Sequence, residues 1–183
     1  MQPATISDIY ENNNKVRRRL LETVSALTND QLSARPSEEK WSIAQIVDHV
    51  SLVNGGMYKI CSRLLSKAKE DGRRSTGVFD LDGFRSKAAG IADVKLEAPG
   101  IVHPAEARPL EDSIRMLDEN AIAFEGLRQM FEEFDANSPK FLHPFLGELS
   151  AVEWLMLAGG HEARHLAQIK RIIDQLEPAT GAE

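Results

Sequence analysis

The fold class this sequence predicts is all-α, a four-helix bundle, and three observations carry it. Apolar residues recur at helical spacing in four long segments. No segment alternates apolar and polar residues as a half-buried strand would. Capping-box patterns stand where helices must begin. The first helix is expected over about residues 6–27, with Ile9, Val16, Leu20, Val24 and Leu27 on one stripe. A short piece follows at Thr28-Asn29-Asp30-Gln31, and Arg35-Pro36 breaks the chain. Ser42-Ile43-Ala44-Gln45 is a second capping box and opens a helix over about residues 43–70. Its stripe is Ile46, Val50, Val53, Met57, Ile60 and Leu64, with Asp71-Gly72 as the stop signal.

From residue 72 to 109 the period disappears among five glycines and three prolines, with one short helix expected over residues 84–92. An irregular link this long is usually a lid or binding loop, expected outside the core. The third helix is expected over about residues 110–134, with Ile114, Leu117, Ala121, Phe124, Leu127 and Phe131 inward. Ser138-Pro139 opens a loop through His143-Pro144 and Gly147. Ser150-Ala151-Val152-Glu153 caps the last helix, over about residues 151–176, and the tail beyond Pro178 is expected to fray. Helices of about six to eight turns with one long middle link predict a bundle whose third helix follows a crossover.

The composition fits one domain spanning residues 1–183. The chain has 42% hydrophobic residues, 27% charged residues and a formal charge of −6. That charge disfavours nucleic acid, and the densest basic cluster, Arg17-Arg18-Arg19, reads as a solvated helix face. One cysteine, Cys61, excludes an internal disulfide framework and is expected to be buried and inert. Met1-Gln2-Pro3-Ala4 lacks the features of a secretory signal, and the apolar stretch from Trp154 to Gly160 is too short to span a bilayer. A cytoplasmic protein without membrane association is expected.

The chemistry concentrates in His161-Glu162-Ala163-Arg164-His165 of the last helix. Histidines at i and i+4 lie about 40° apart and one turn along a helix, so both imidazoles can reach one metal ion. Both border the buried stripe. The competing explanation is a hydrogen-bonded core pair, because buried polar groups demand partners. His49 also borders its helix's inner stripe and would complete a three-histidine site with open coordination positions, as in catalytic sites. Glu162 is a candidate general base. Arg164 and His143 are candidate substrate-binding residues, although Arg164 could equally pair with Asp48. His143 and His103 each precede a proline in a loop and would by default be exposed, and Trp41 and Trp154 read as packing. His-Glu-x-x-His is also the zincin pattern, but no third histidine follows His165 and no strand is visible. A di-iron centre would need a second Glu-x-x-His, and Ile46 stands three before His49.

Trp41-Ser42-Ile43 leading to His49, then His143-Pro144 with Gly147, Glu153-Trp154-Leu155, and His161-x-x-Arg164-His165-x-x-Gln168-Ile169 together resemble the DinB superfamily, more narrowly its YfiT-like, DinB-2 branch. The resemblance implies an up-down-down-up bundle, often dimeric, holding one divalent metal, zinc or nickel, through His49, His161 and His165. It further implies a thiol S-transferase or a metal-dependent hydrolase. The expected function is therefore a metal-dependent enzyme acting on a small-molecule thiol and an electrophile, or on a hydrolysable bond. A homodimer is expected. The alternatives are a non-catalytic metal-binding or dimeric scaffold protein and, at the margin, a zincin-type protease.

Overall fold

The computed structural model describes residues 5–79, 81–90, 99–104 and 108–176. The tail beyond Pro178, the leading Met1–Ala4 and the expected end of the short loop helix at Ile91 and Ala92 lie outside them. The elements are α1 (Ile6–Ser25), α2 (Asn29–Ser33), α3 (Ile43–Glu70), α4 (Asp82–Gly90), a 3-10 turn at Gly100–Val102, α5 (Leu110–Glu125), α6 (Arg128–Glu133), β1 (Lys140–His143), β2 (Gly147–Ser150) and α7 (Ala151–Leu176).

The capping boxes of Thr28 with Gln31, Ser42 with Gln45 and Ser150 with Glu153 all form, each satisfying backbone N–H groups that a helix start leaves unpaired. A fourth, Thr5 with Asp8, opens α1. Helix α3 stops as Asp71-Gly72 requires. Gly72 takes a φ of +68°, and the N–H groups of Gly72 and Arg73 return to Lys69 and Ala68, closing a Schellman motif. The expected third helix is broken at Gly126-Leu127 into α5 and α6. Glycine is the weakest helix former after proline.

The contacts give the topology. Asn13 and Arg17 of α1 meet Leu155 and Glu162 of α7, so these helices run parallel. Asn54 and Cys61 of α3 meet Glu162 and Ala151, so α3 runs against α7. Ser51 and Tyr58 of α3 meet Asn120 and Phe124, so α5 runs with α3. The direction is up-down-down-up. Helix α3 packs on both α5 and α7, and α7 packs also on α1, which places α1 across the diagonal from α3 and α5 across the diagonal from α7. Because α3 is sandwiched, its buried set extends beyond one stripe to Val47, Cys61, Leu65 and Ala68.

Parallel neighbours also explain the long link. The chain must return along α3, whose 28 residues span about 42 Å, before α5 can start. Contrary to expectation, this link contributes to the core. Phe79, Leu81 and Phe84 are buried in the apolar cluster around Cys61, Leu65 and Phe131. Its last part, the Gly100–Val102 turn, packs on α3.

A second difference is the antiparallel hairpin β1–β2, which pairs Lys140 with Ser150 and His143 with Gly147, where a loop was expected. Strands of four residues are too short to display a two-residue period, and Gly147 turns the chain at a φ of +73°. The core divides into two clusters. The one towards the hairpin is rich in aromatic residues, and the other, around Leu20, Ile46, Val50, Leu117 and Ile169, is aliphatic. Among the described residues no helix is long and apolar enough to cross a membrane.

Candidate metal centre

His49 lies in the second turn of α3, with Val47 and Val50 packed in the aliphatic cluster on either side. On α7, Trp154, Leu166, Ile169 and Ile172 define the inward face, and His161 and His165 stand beside it one turn apart. Since α3 and α7 run antiparallel in contact, the three imidazoles converge. Their ring centroids are 5.2 Å apart for His49–His161, 5.1 Å for His49–His165 and 4.5 Å for His161–His165. One nitrogen from each lies within 4.8 Å of the others.

Hydrogen bonds orient two of the rings. His49 Nδ1–H donates to the Val102 carbonyl at 2.7 Å, and His165 Nδ1–H donates to Gln168 Oε1 at 2.9 Å. Each therefore presents an unprotonated Nε2, the arrangement by which outer partners set the tautomer of ligating histidines. His161 Nε2 lies 3.2 Å from His165 Nε2, and His161 Nδ1 is buried without a hydrogen-bond partner among the described residues. Trp41 lies tilted against His49, with ring centroids 4.8 Å apart, and meets His103 edge-on at 5.8 Å.

Burial is the first cause of a lowered pKa at all three histidines. His165 is brought down to about 4, with the nearby His49 adding to the effect. His161 falls well below 6.5, helped by His165 and His49, while at His49 the Val102 bond partly offsets burial. At neutral pH the cluster is uncharged, with lone pairs available. Three neutral nitrogens and one orphaned buried polar atom fit a divalent cation better than a self-satisfied core pair.

The remaining expected residues separate. Glu162, the candidate base, is only 1% exposed, and its carboxylate accepts hydrogen bonds from Arg17 and Asn54, not from the histidines. Residues i and i+1 face about 100° apart on a helix, which turns Glu162 away from the ligand pair and leaves the zincin pattern without its base. Arg17 correspondingly is not on a solvated face, its side chain being 11% exposed. Arg164 is exposed and close enough to His161 and His165 to lower their pKa; Arg108, not Arg164, pairs with Asp48 at 2.8 Å.

His143, expected to be exposed, is half-buried at the end of β1. Its Nδ1 accepts from the N–H groups of Phe145 and Leu146, its ring lies 5.2 Å from buried Trp154, and it too acts on the His161 pKa. His103 is exposed. Cys61 is fully buried, and burial pushes its thiol pKa up, as expected of an inert cysteine. Sequence reasoning missed Val102, Gln168, Arg17 and Asn54 as partners. Of these only Gln168, three residues after His165 on the same helix, carried a signal.

The sequence profile described as DinB superfamily matches residues 13–169. Among curated relatives, YuaE of Bacillus subtilis is 25% identical over 171 residues, covering 91% of this chain and 98% of the relative. A protein of Oceanobacillus iheyensis named "Putative metal-dependent hydrolase" is 29% identical over 174 residues, covering 92% and 87%. Two solved structures share the fold. TT2238, a four-helix bundle protein, aligns with a TM-score of 0.62 at 22% identity over 91% of this chain and 99% of its own. YfiT from Bacillus subtilis, described with "an unusual four-helix bundle topology", aligns with 0.61 at 17% identity over 93% and 87%.

Proposed function

Because this chain belongs to the DinB superfamily, we propose that it is a metal-dependent enzyme that activates a small nucleophile at His49, His161 and His165, using one zinc or nickel ion per chain. The observation that carries the reading is the convergence of three neutral imidazoles, two of them aimed by fixed Nδ1–H donors. Three neutral ligands leave the cation's charge uncompensated and coordination positions open, so a bound divalent metal would acidify a water or a thiol near neutral pH. The name of the Oceanobacillus relative favours hydrolysis. The same site chemistry suits S-transfer from a thiol to an electrophilic carbon.

The chain's own residues bind, orient and shield. Val102 and Gln168 hold two ligand rings, and Trp41 covers one face of His49. Arg164 stands where it can draw an anionic substrate towards the histidines. His143, with its Nδ1 occupied by backbone N–H groups, carries its neutral-state proton on Nε2 and can donate a hydrogen bond to a substrate reaching towards the hairpin.

The test is tag-free protein reconstituted with zinc or nickel and assayed against p-nitrophenyl acetate and against monochlorobimane with a panel of small thiols. Metal-dependent turnover in one arm, abolished in His161→Ala, supports the reading and selects the reaction. Metal binding with no turnover in either arm would favour a non-catalytic metal protein.

A further inference from the structure

One turn of each long helix meets at a single polar knot beside the histidine cluster. Arg17 of α1 donates through Nε to both Glu162 oxygens, at 3.1 and 3.4 Å, and through Nη2 to Oε1. Its Nη1 donates to the Leu117 carbonyl of α5 at 2.7 Å. Asn54 of α3 donates through Nδ2 to Glu162 Oε1. Three side chains thereby join all four long helices.

We propose that Arg17, Asn54 and Glu162 form a clasp that sets the axial register of α3 against α7, and so positions His49 opposite His161 and His165. The proposal rests on the metal-site reading. Glu162 follows His161 directly, and Asn54 is little more than one turn beyond His49. A slide of one helix along the other cannot keep the Asn54–Glu162 bond and move the histidines independently.

Stability alone is a poor reason to bury such a group. Taking a carboxylate and a guanidinium out of water costs much of what their attraction returns, and apolar replacements of equal volume are often as stable. Apolar stripes, by contrast, specify axial register weakly, whereas a buried polar contact has one register. The clasp is also built for close approach. Asn13 of α1 bonds the Leu155 carbonyl at 2.8 Å, and a Cβ on Gly159 would stand 1.9 Å from Asn13 Oδ1, so the missing side chain at Gly159 leaves room for the Asn13 amide to tie α1 to α7 one turn before Arg17. Within His-Glu-x-x-His, then, the histidines face the ligand and the glutamate holds the frame.

The test compares full-length wild type with Arg17→Met/Glu162→Leu, which replaces the ion pair by apolar residues, and with Glu162→Gln, which keeps the shape. Co2+ is titrated into tag-free protein and read by its visible d–d bands. Separately, spin labels at the exposed positions of Lys59→Cys and Lys170→Cys report the α3–α7 distance without metal. With helix content retained, the double variant should bind Co2+ about 10- to 100-fold more weakly, with altered bands and a broadened or shifted distance distribution, and Glu162→Gln should fall between. Leu65→Ala, which destabilises the core elsewhere, should leave the bands and the distances as in wild type. Wild-type Co2+ affinity and bands, or an unchanged distance distribution, in the double variant would overturn the clasp. If wild type binds no Co2+, the metal reading fails, and the distances alone decide the clasp.

Discussion

The interior holds two polar groups within five residues of α7, and they solve burial in opposite ways. The histidines of α7 stay neutral, because desolvation, with the neighbouring His49 and Arg164 adding to it, drives their pKa down. Glu162 faces a guanidinium and an amide across the helix interface and is held as one partner of an ion pair. The first group keeps ring nitrogens for a ligand, His161 Nδ1 having no hydrogen-bond partner among the described residues. In the second, Arg17 engages both Glu162 oxygens, although Asn54 Oδ1 likewise lacks a partner among the described residues. On the proposed reading, chemistry belongs to the first and geometry to the second.

Breaking the ion pair on one side should have the largest effect. Arg17→Met leaves the Glu162 carboxylate buried without its cation and should cost about 3–5 kcal/mol in urea denaturation, because an unpaired buried charge bears its full desolvation penalty. A loss below about 1 kcal/mol would mean that water reaches Glu162 and the contrast is false.

Acid should find the other group next. In the metal-free protein His165 titrates at about 4 against 6.5 when unfolded, and His49 and His161 are lowered in the same direction. The unfolded chain then binds more protons, so stability is full above about pH 6.5 and falls as pH drops towards 4, by about 3 kcal/mol from His165 alone. Carboxylates lowered in the fold, such as Asp135, act only below that window. His161→Gln/His165→Gln should flatten the slope between pH 6.5 and 4. A slope unchanged in that variant would place its origin elsewhere.

Gly159→Ala sharpens the comparison, because it displaces the Asn13 side chain from the Leu155 carbonyl, and so loosens α1 on α7, without altering any of the three histidines. It should cost about 1–3 kcal/mol, as overpacking does, and weaken metal binding only through register. Gln168→Ala should do the reverse. Stability should change by less than about 1 kcal/mol at this half-buried position, while metal affinity drops about 10-fold or more for want of the His165 Nδ1–H acceptor. Isothermal titration beside thermal unfolding reads both variants, and a stability loss without an affinity loss in Gln168→Ala would remove that bond from the site.

Much of this was readable in the sequence because it is local. The capping boxes, the i, i+4 histidines and the apolar stripes each lie within one helix, and helical spacing alone ties them together. What escaped depends on distant pairings. Arg17 read as one of three surface arginines because its partner lies 145 residues away, and His49's acceptor is a carbonyl 53 residues on, in a link without period. Backbone acceptors leave no mark on sequence at all. The face of Glu162 could not be assigned until the packing order of α1, α3 and α7 was known, since a residue between two stripes can turn to either neighbour. The hairpin and the buried Phe79, Leu81 and Phe84 escaped because short strands and isolated apolar residues carry too little period.

The central claim is that His49, His161 and His165 hold one divalent metal together, and elemental analysis tests it most directly. Tag-free protein, dialysed against zinc or nickel and freed of excess, should retain close to one metal per chain. His49→Ala, His161→Ala and His165→Ala should each lose it while keeping their helix content, since no cysteine or carboxylate joins the cluster among the described residues to compensate. Full occupancy in any one of the three variants, or an empty wild-type protein, would contradict the account.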